Sequence, residues 1–185
     1  MKNKELLFIP FALGVFALVR STVKGSGARV AVWYETRRRG AYDKRPLDQI
    51  RGAIIHHTAT AGTATPDEIA AIHTDEKEWP GIAYGFLIYP DGTVYQTNLL
   101  GSASYHSRGN NTDRVGIAFV GDFTTVPPTD RALGACLRLL KSLKNRPDLP
   151  NFRLLSGHRE KRPTACPGDS FPLESLRRKS GLSAG

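Results

Sequence analysis

Cysteine is scarce: two residues in a chain of 185 allow at most one disulfide, which excludes a disulfide-stapled mini-domain. The pair is left as a bridge, a metal-ligand resource or core filler. Long apolar runs are also missing. The longest, Leu6 to Val19, has fourteen residues, short of the roughly 20 that a stable transmembrane helix needs. No internal repeat is visible, and the length is too small for a large multidomain machine. Acidic charge is thin at one end only: residues 1–52 hold eleven Lys/Arg against four Asp/Glu, a net of +7, whereas the remainder holds fifteen against thirteen. The overall +9 therefore belongs to the N-terminal third. A nucleic-acid binder, which the total charge alone would suggest, is disfavoured because the basic residues lie mostly outside the expected folded region and no recognition motif accompanies them.

What is present is an ordinary globular composition, 40% hydrophobic and 23% charged, enough for one domain of roughly 100–150 residues with some chain left over. Lys2 and Lys4 precede the apolar run and Arg20 and Lys24 follow it. That pattern predicts a signal peptide or signal anchor over residues 1–25, against the alternative of a helix packed on the domain. Either form of export would place the protein at the cell envelope, with membrane association through residues 6–19. Gly25-Ser-Gly27 reads as a flexible junction, residues 26–44, with Arg37-Arg-Arg39, as a basic linker, 45–178 as the folded domain, and 179–185 as a flexible tail.

From Arg51 onward the pattern alternates strands and helices. Ala53 to Ile55 is a short apolar strand delivering His56 and His57 at its end. Thr65-Pro-Asp-Glu68 is a helix start, with a capping hydroxyl, proline at the first position and acids in the first turn; Ile69 and Ile72 then share a face. Tyr84 to Tyr89, Pro90-Asp-Gly92 and Thr93 to Thr97 form a hairpin signal, since Asp-Gly tolerates the positive φ of a tight turn. Val115 to Val120 is another strand. Thr129 and Asp130 cap a helix whose apolar stripe is Leu133, Cys136, Leu137, Leu140 and Leu143. Phe152 to Leu155 is a last strand running into Gly157 and His158. This order predicts an α/β domain with a central mixed sheet flanked by helices.

The residues able to hold a metal fall at strand ends. His56, His158 and Cys166 supply two imidazoles and one thiolate, a combination that leaves a fourth position to water, as a catalytic zinc shell does. Spacing alone leaves other roles open: a lone histidine is usually a hydrogen-bonded structural residue, and a Cys136–Cys166 bridge competes. Cys136, on the apolar stripe, reads as core filler.

Four segments carry a resemblance: Ile54-Ile-His-His-Thr-Ala-Thr60, Gly81-Ile-Ala-Tyr-Gly-Phe-Leu-Ile-Tyr-Pro-Asp-Gly-Thr-Val-Tyr95, Val115-Gly-Ile-Ala-Phe-Val-Gly-Asp-Phe123, and Gly157-His-Arg-Glu160 with Thr164-Ala-Cys-Pro-Gly168. In this order they resemble the signature segments of the zinc-dependent N-acetylmuramoyl-L-alanine amidases of type 2, which include phage lysozyme-type amidases and the peptidoglycan recognition proteins. The resemblance implies that fold, zinc as cofactor on His56, His158 and Cys166, and catalytic roles for Tyr84 and Thr164. It implies peptidoglycan as substrate and a monomeric enzyme hydrolysing the amide between the lactyl group of N-acetylmuramic acid and L-alanine. Phage members often carry lysine where this chain has Thr164, and Ala83 replaces the usual glycine before the tyrosine. His57 and His106 are expected to contact substrate. The alternative is a non-catalytic peptidoglycan-binding module on the same fold.

Overall fold

The computed structural model describes residues 30–185, so the expected signal segment over residues 1–25 lies outside the described residues. Among those described, no helix is long and apolar enough to cross a membrane. Six strands form one mixed sheet: β1 (Val32–Trp33), β2 (Gly52–His57), β3 (Phe86–Ile88), β4 (Val94–Gln96), β5 (Arg114–Phe119) and β6 (Leu154–Gly157). Their spatial order is β1-β4-β3-β5-β2-β6, with only the β3–β4 hairpin antiparallel. Three helices, α1 (Pro66–Ala71), α2 (Asp130–Lys144) and α3 (Leu173–Ser180), complete it. The architecture is the α/β mixed sheet that the alternating pattern predicts.

The central strands β2 and β5 are buried along their whole length, as parallel strands covered on both faces must be. Side-chain alternation then divides the core. Ile55, Val115, Ile117 and Phe119 face α2, meeting Ala135, Cys136, Leu139 and Leu140. On the other face Leu87, Ala118 and Val120 meet Ile69 and Ala70 of α1.

Local chemistry sets the boundaries. Thr65 accepts from the Glu68 N–H while Glu68 reaches back to the Thr65 N–H, a complete capping box ahead of Pro66. Helix α1 widens after one and a half turns into a π-helical segment, Ile72–Glu76, and Ile72 is half-buried rather than fully on the core face. In the hairpin, Gly92 sits at φ +88° and donates to the Tyr89 carbonyl. On α2 the buried stripe runs through Ala132, Ala135, Cys136, Leu139, Leu140 and Leu143, so the expected Leu133 and Leu137 are only partly covered.

Two expected boundaries are corrected. Residues 30–44 belong to the folded body and are not a linker: β1 pairs with β4, the Tyr34 N–H donates to the Gln96 carbonyl, and buried Tyr42 donates to the Gly81 carbonyl. Two of the exposed arginines there also bond backbone of the domain, Arg38 on the Thr97 carbonyl and Arg39 on the Thr74 carbonyl. At the other end the expected tail is also ordered, because Leu182 covers the core and Ser183 bonds along the edge of β6, shielding an otherwise bare strand. Helix α3 has only Leu173 and Leu176 as an apolar signal, too little to read as a helix without the surface it packs on.

Candidate metal centre

Parallel pairing brings the first two ligand candidates together. Ile55 of β2 is in register with Gly157 of β6, so His56 and His158 emerge side by side at the C-terminal ends of neighbouring strands, where ligand sites of such sheets gather. Their ring centroids are 4.5 Å apart. Cys166 arrives on the loop after the 3-10 turn His158–Glu160. That loop is tied down by the Arg159 N–H to the Cys166 carbonyl, by Arg159 to Asp169, and by the Ser170 N–H to the Phe123 carbonyl. Gly168 lets it pass: at φ +105° its position would put a Cβ 2.2 Å from the Phe123 carbonyl oxygen, so no side chain fits.

The turn carrying His158 is braced from behind. Glu160 accepts from the Gly157 N–H at 2.8 Å and pairs with Arg177 of α3, which also bonds Glu174 and donates from Nε to the Leu155 carbonyl. Burial by itself would raise the Glu160 carboxyl, but Arg177 and the Gly157 N–H outweigh it and hold it below its ordinary range.

One nitrogen of each histidine and the Cys166 sulfur all lie within 4.8 Å of one another. His56 Nδ1 is 3.7 Å from Cys166 Sγ, too far for a strong hydrogen bond. Tetrahedral zinc with Zn–N about 2.05 Å and Zn–S about 2.3 Å separates its nitrogen and sulfur ligands by about 3.6 Å. The spacing therefore suits an ion between them. His158 Nε2 is buried with no hydrogen-bond partner among the described residues, the kind of orphaned lone pair a ligating ring presents. Electrostatics agree. Burial first, then the neighbouring histidines, holds His56 well below its ordinary pKa, and burial followed by Arg162 lowers His158, so both rings present lone pairs at neutral pH. Burial pushes the Cys166 thiol up to about 11, partly offset by the His57 N–H, which donates to its sulfur at 3.3 Å. A cation is what would make this thiolate stable. The donor set fits zinc.

Tyr84 and Thr164 stand around the ligands. The Tyr84 ring lies 5.3 Å from His56, and burial, then the nearby sulfur, raises its hydroxyl, leaving a neutral phenol that donates. Thr164 is exposed and its hydroxyl oxygen accepts from the Cys166 N–H at 3.2 Å. Ala83 keeps an ordinary negative φ and its N–H donates to His73 Nδ1, so the missing glycine leaves no strain.

His57 is not in the cleft. Period-2 alternation turns its side chain to the opposite face of β2, where Nδ1 accepts from the Phe123 N–H and lies 3.5 Å from Asp122. Only its backbone serves the site. His106 does border the cleft, yet its ring nitrogens are engaged inside the protein: Nδ1 is 3.1 Å from His56 Nε2, and Nε2 is 3.1 Å from the Arg114 carbonyl oxygen. Burial pushes its pKa down to about 3. Cys136 lies in the core against α2's neighbours, and both cysteines are free, so the competing bridge is absent.

In front of His106 and His158 opens a cleft of about 440 Å³, walled by Trp79 and Tyr105 and rimmed by Arg108 and Arg162. Sequence reasoning did not find Trp79, Tyr105 or His73. His73 stacks on Trp79 at 5.2 Å and meets the Tyr84 ring edge-on, buttressing the tyrosine across the π-helical segment. No spacing rule in the sequence marks that contact. A larger depression, about 790 Å³, lies by Arg51 and Arg153 at the opposite end of the sheet and contains none of the nominated residues.

The model of the N-acetylmuramoyl-L-alanine amidase family matches residues 46–169. The chain belongs to this amidase family. Among amidase-family relatives it is 33% identical to peptidoglycan-recognition protein SC1a/b of Drosophila simulans, over 85% of this chain and 89% of that one. It superposes on the endolysin N-acetylmuramoyl-L-alanine amidase LysCS of Clostridium intestinale with a TM-score of 0.72 at 29% identity, covering 82% of this chain and 97% of the other. A further match, at TM-score 0.71 and 28% identity over 82% and 98% of the two chains, is a structure of tracheal cytotoxin bound to the ectodomain complex of peptidoglycan recognition proteins LCa and LCx. The amidase family thus spans enzymes and recognition proteins on one sheet. The matched span contains His56, Tyr84, His158, Thr164 and Cys166, and leaves out residues 30–44 and α3.

Proposed function

We propose that this amidase-family protein is a zinc-dependent N-acetylmuramoyl-L-alanine amidase, hydrolysing the amide between the lactyl group of N-acetylmuramic acid and L-alanine of the peptidoglycan stem peptide. The observation that carries the reading is the convergence of His56, His158 and Cys166 within 4.8 Å of one another, beside an open cleft that His158 lines. When bound, zinc lowers the pKa of a water ligand toward about 7 and polarises a carbonyl oxygen. The chain's own residues do the rest. His56 and His158 stay neutral and available as ligands because burial disfavours their charged forms. The His57 N–H steadies the Cys166 sulfur as an anion. Tyr84, a neutral phenol beside His56, is a donor toward oxygen that becomes negative during attack. The Thr164 hydroxyl, its oxygen occupied by the Cys166 N–H, has its hydrogen left to donate. Unlike a lysine at that place it adds no charge, so charge stabilisation leans on the metal. Trp79 and Tyr105 give the cleft apolar walls against which sugar and peptide can lie, excluding water from the reacting amide.

Export or membrane tethering through residues 1–25 would deliver this monomeric enzyme to the envelope, where the substrate is. Incubating the full chain with purified muropeptides should release new L-alanine amino termini, abolished by a chelator, restored by zinc, and absent in Cys166→Ser. The recognition-protein names of its relatives favour a second reading, binding without hydrolysis. Retention of muropeptide by the zinc-loaded protein with no cleavage would establish that reading and overturn the enzyme.

A further inference from the structure

We infer that His106 is a positioning residue that sets the tautomer of His56, so that His56 offers Nδ1, not Nε2, to the metal. The inference rests on the metal-centre reading above. It follows from three groups in sequence, the Arg114 carbonyl, His106 and His56. The Arg114 carbonyl oxygen can only accept, so His106 Nε2, 3.1 Å away, carries the hydrogen. In a neutral ring this leaves the lone pair on His106 Nδ1. That lone pair faces His56 Nε2 at 3.1 Å, so His56 Nε2 must be the donor; the other tautomer would set two lone pairs against each other. The remaining His56 lone pair is then on Nδ1, the atom 3.7 Å from Cys166 Sγ. The order from β5 to the centre is carbonyl, His106, His56, metal.

The surroundings are built to hold this arrangement. The His106 ring lies flat against β5 because residue 116 is glycine: a Cβ there would stand 2.6 Å from His106 Cγ. Arg45 donates from Nη1 to the same Arg114 carbonyl and from Nε to the Leu100 carbonyl, so the oxygen that faces His106 Nε2 is itself held in place. Ligating histidines commonly pass their second N–H to a carboxylate or a carbonyl. Here a neutral imidazole stands between ligand and carbonyl, so His56 is oriented without an added negative charge, and Cys166 is left as the only anion among the three ligands.

The test begins on the metal-free full chain with ¹⁵N-labelled histidine. Long-range ¹H–¹⁵N correlations should show Nε2–H for both His56 and His106. An Nδ1–H tautomer at His56, or averaged shifts from two tautomers, would overturn the proposal. Zinc affinity is then read by chelator competition. His106→Phe, which fills the space but accepts nothing, should bind zinc about 10- to 100-fold more weakly. His106→Asn, whose Oδ1 occupies the place of Nδ1, should recover most of that factor. A folded His106→Phe protein that binds zinc as tightly as wild type refutes the role, with thermal melting confirming that it is folded. Absence of zinc binding by the wild type would instead refute the metal-centre reading, while the tautomer measurement still decides the His106 arrangement.

Discussion

Arg177→Met removes the brace behind His158 while keeping the aliphatic packing of the side chain, and its cost can be built from the contacts. The guanidinium makes three: to the Leu155 carbonyl at 2.9 Å, to Glu160 and to Glu174. Arg177 is 7% exposed, but its two acidic partners are 37% and 69% exposed, so the pairs are unequal. A charge-assisted bond in partly buried surroundings is worth about 1.5–3 kcal/mol, which applies to Leu155 and Glu160. The solvent-screened Glu174 pair adds at most about 0.5 kcal/mol. The sum is about 3–6.5 kcal/mol, or about 6–26 °C in melting temperature for a domain of this size. Circular dichroism melts of wild type, Arg177→Met, Glu160→Gln and Glu174→Gln would measure it. In the double-mutant cycle Arg177 should couple to Glu160 by about 1–3 kcal/mol and to Glu174 by almost nothing. Zinc affinity should fall with the Glu160 pair and not with the Glu174 pair, because only Glu160 also holds the Gly157 N–H beside His158. Equal coupling to both acids, or a melting shift below about 2 °C, would refute the reasoning.

Other outcomes follow from the same contacts. Tyr84→Phe should lower kcat about 100-fold with little change in KM, since it deletes one donor to developing negative charge, and Thr164→Val should act in the same direction; steady-state kinetics on a muropeptide decides. Gly168→Ala, at φ +105° with Phe123 backbone in the way, should displace the Cys166 loop, cost at least about 2 kcal/mol and abolish stoichiometric zinc binding, read by melting and metal analysis. Cys136→Ala should cost about 1 kcal/mol and leave one zinc per chain, whereas Cys166→Ser should lose the metal. Thr129→Ala removes the hydroxyl that accepts from the Ala132 N–H at 3.1 Å and should lower the melting temperature of the protein by about 2–4 °C.

Much of the framework was readable from short stretches of chain. Thr65-Pro-Asp-Glu68, Asp91-Gly92 and Thr129-Asp130 each contain the groups that satisfy their own neighbouring backbone, so their elements appear where the residues say. His56, His158 and Cys166 stood out as strand-end and loop residues with ligating side chains, and they converge. Residues 30–44 were misread for the opposite reason. Three consecutive arginines look solvated until the carbonyls of Thr97 and Thr74, some 35 to 59 positions away, are seen to receive two of them.

The amino-acid sequence by itself determined the family, the alternating α/β order, the turn and cap positions and the set of side chains able to hold a metal, because each rests on residue type or on near neighbours. Only the tertiary structure decided how those side chains are used. Which of two adjacent histidines meets His158 and Cys166 depends on the face of β2 that α2 covers. Whether His106 touches substrate or orients His56 depends on the placement of β5, with Gly116 and the Arg114 carbonyl, against a residue 50 positions earlier. Strand register and cross-chain hydrogen bonding leave no local periodicity, so these roles exist only once the sheet has closed.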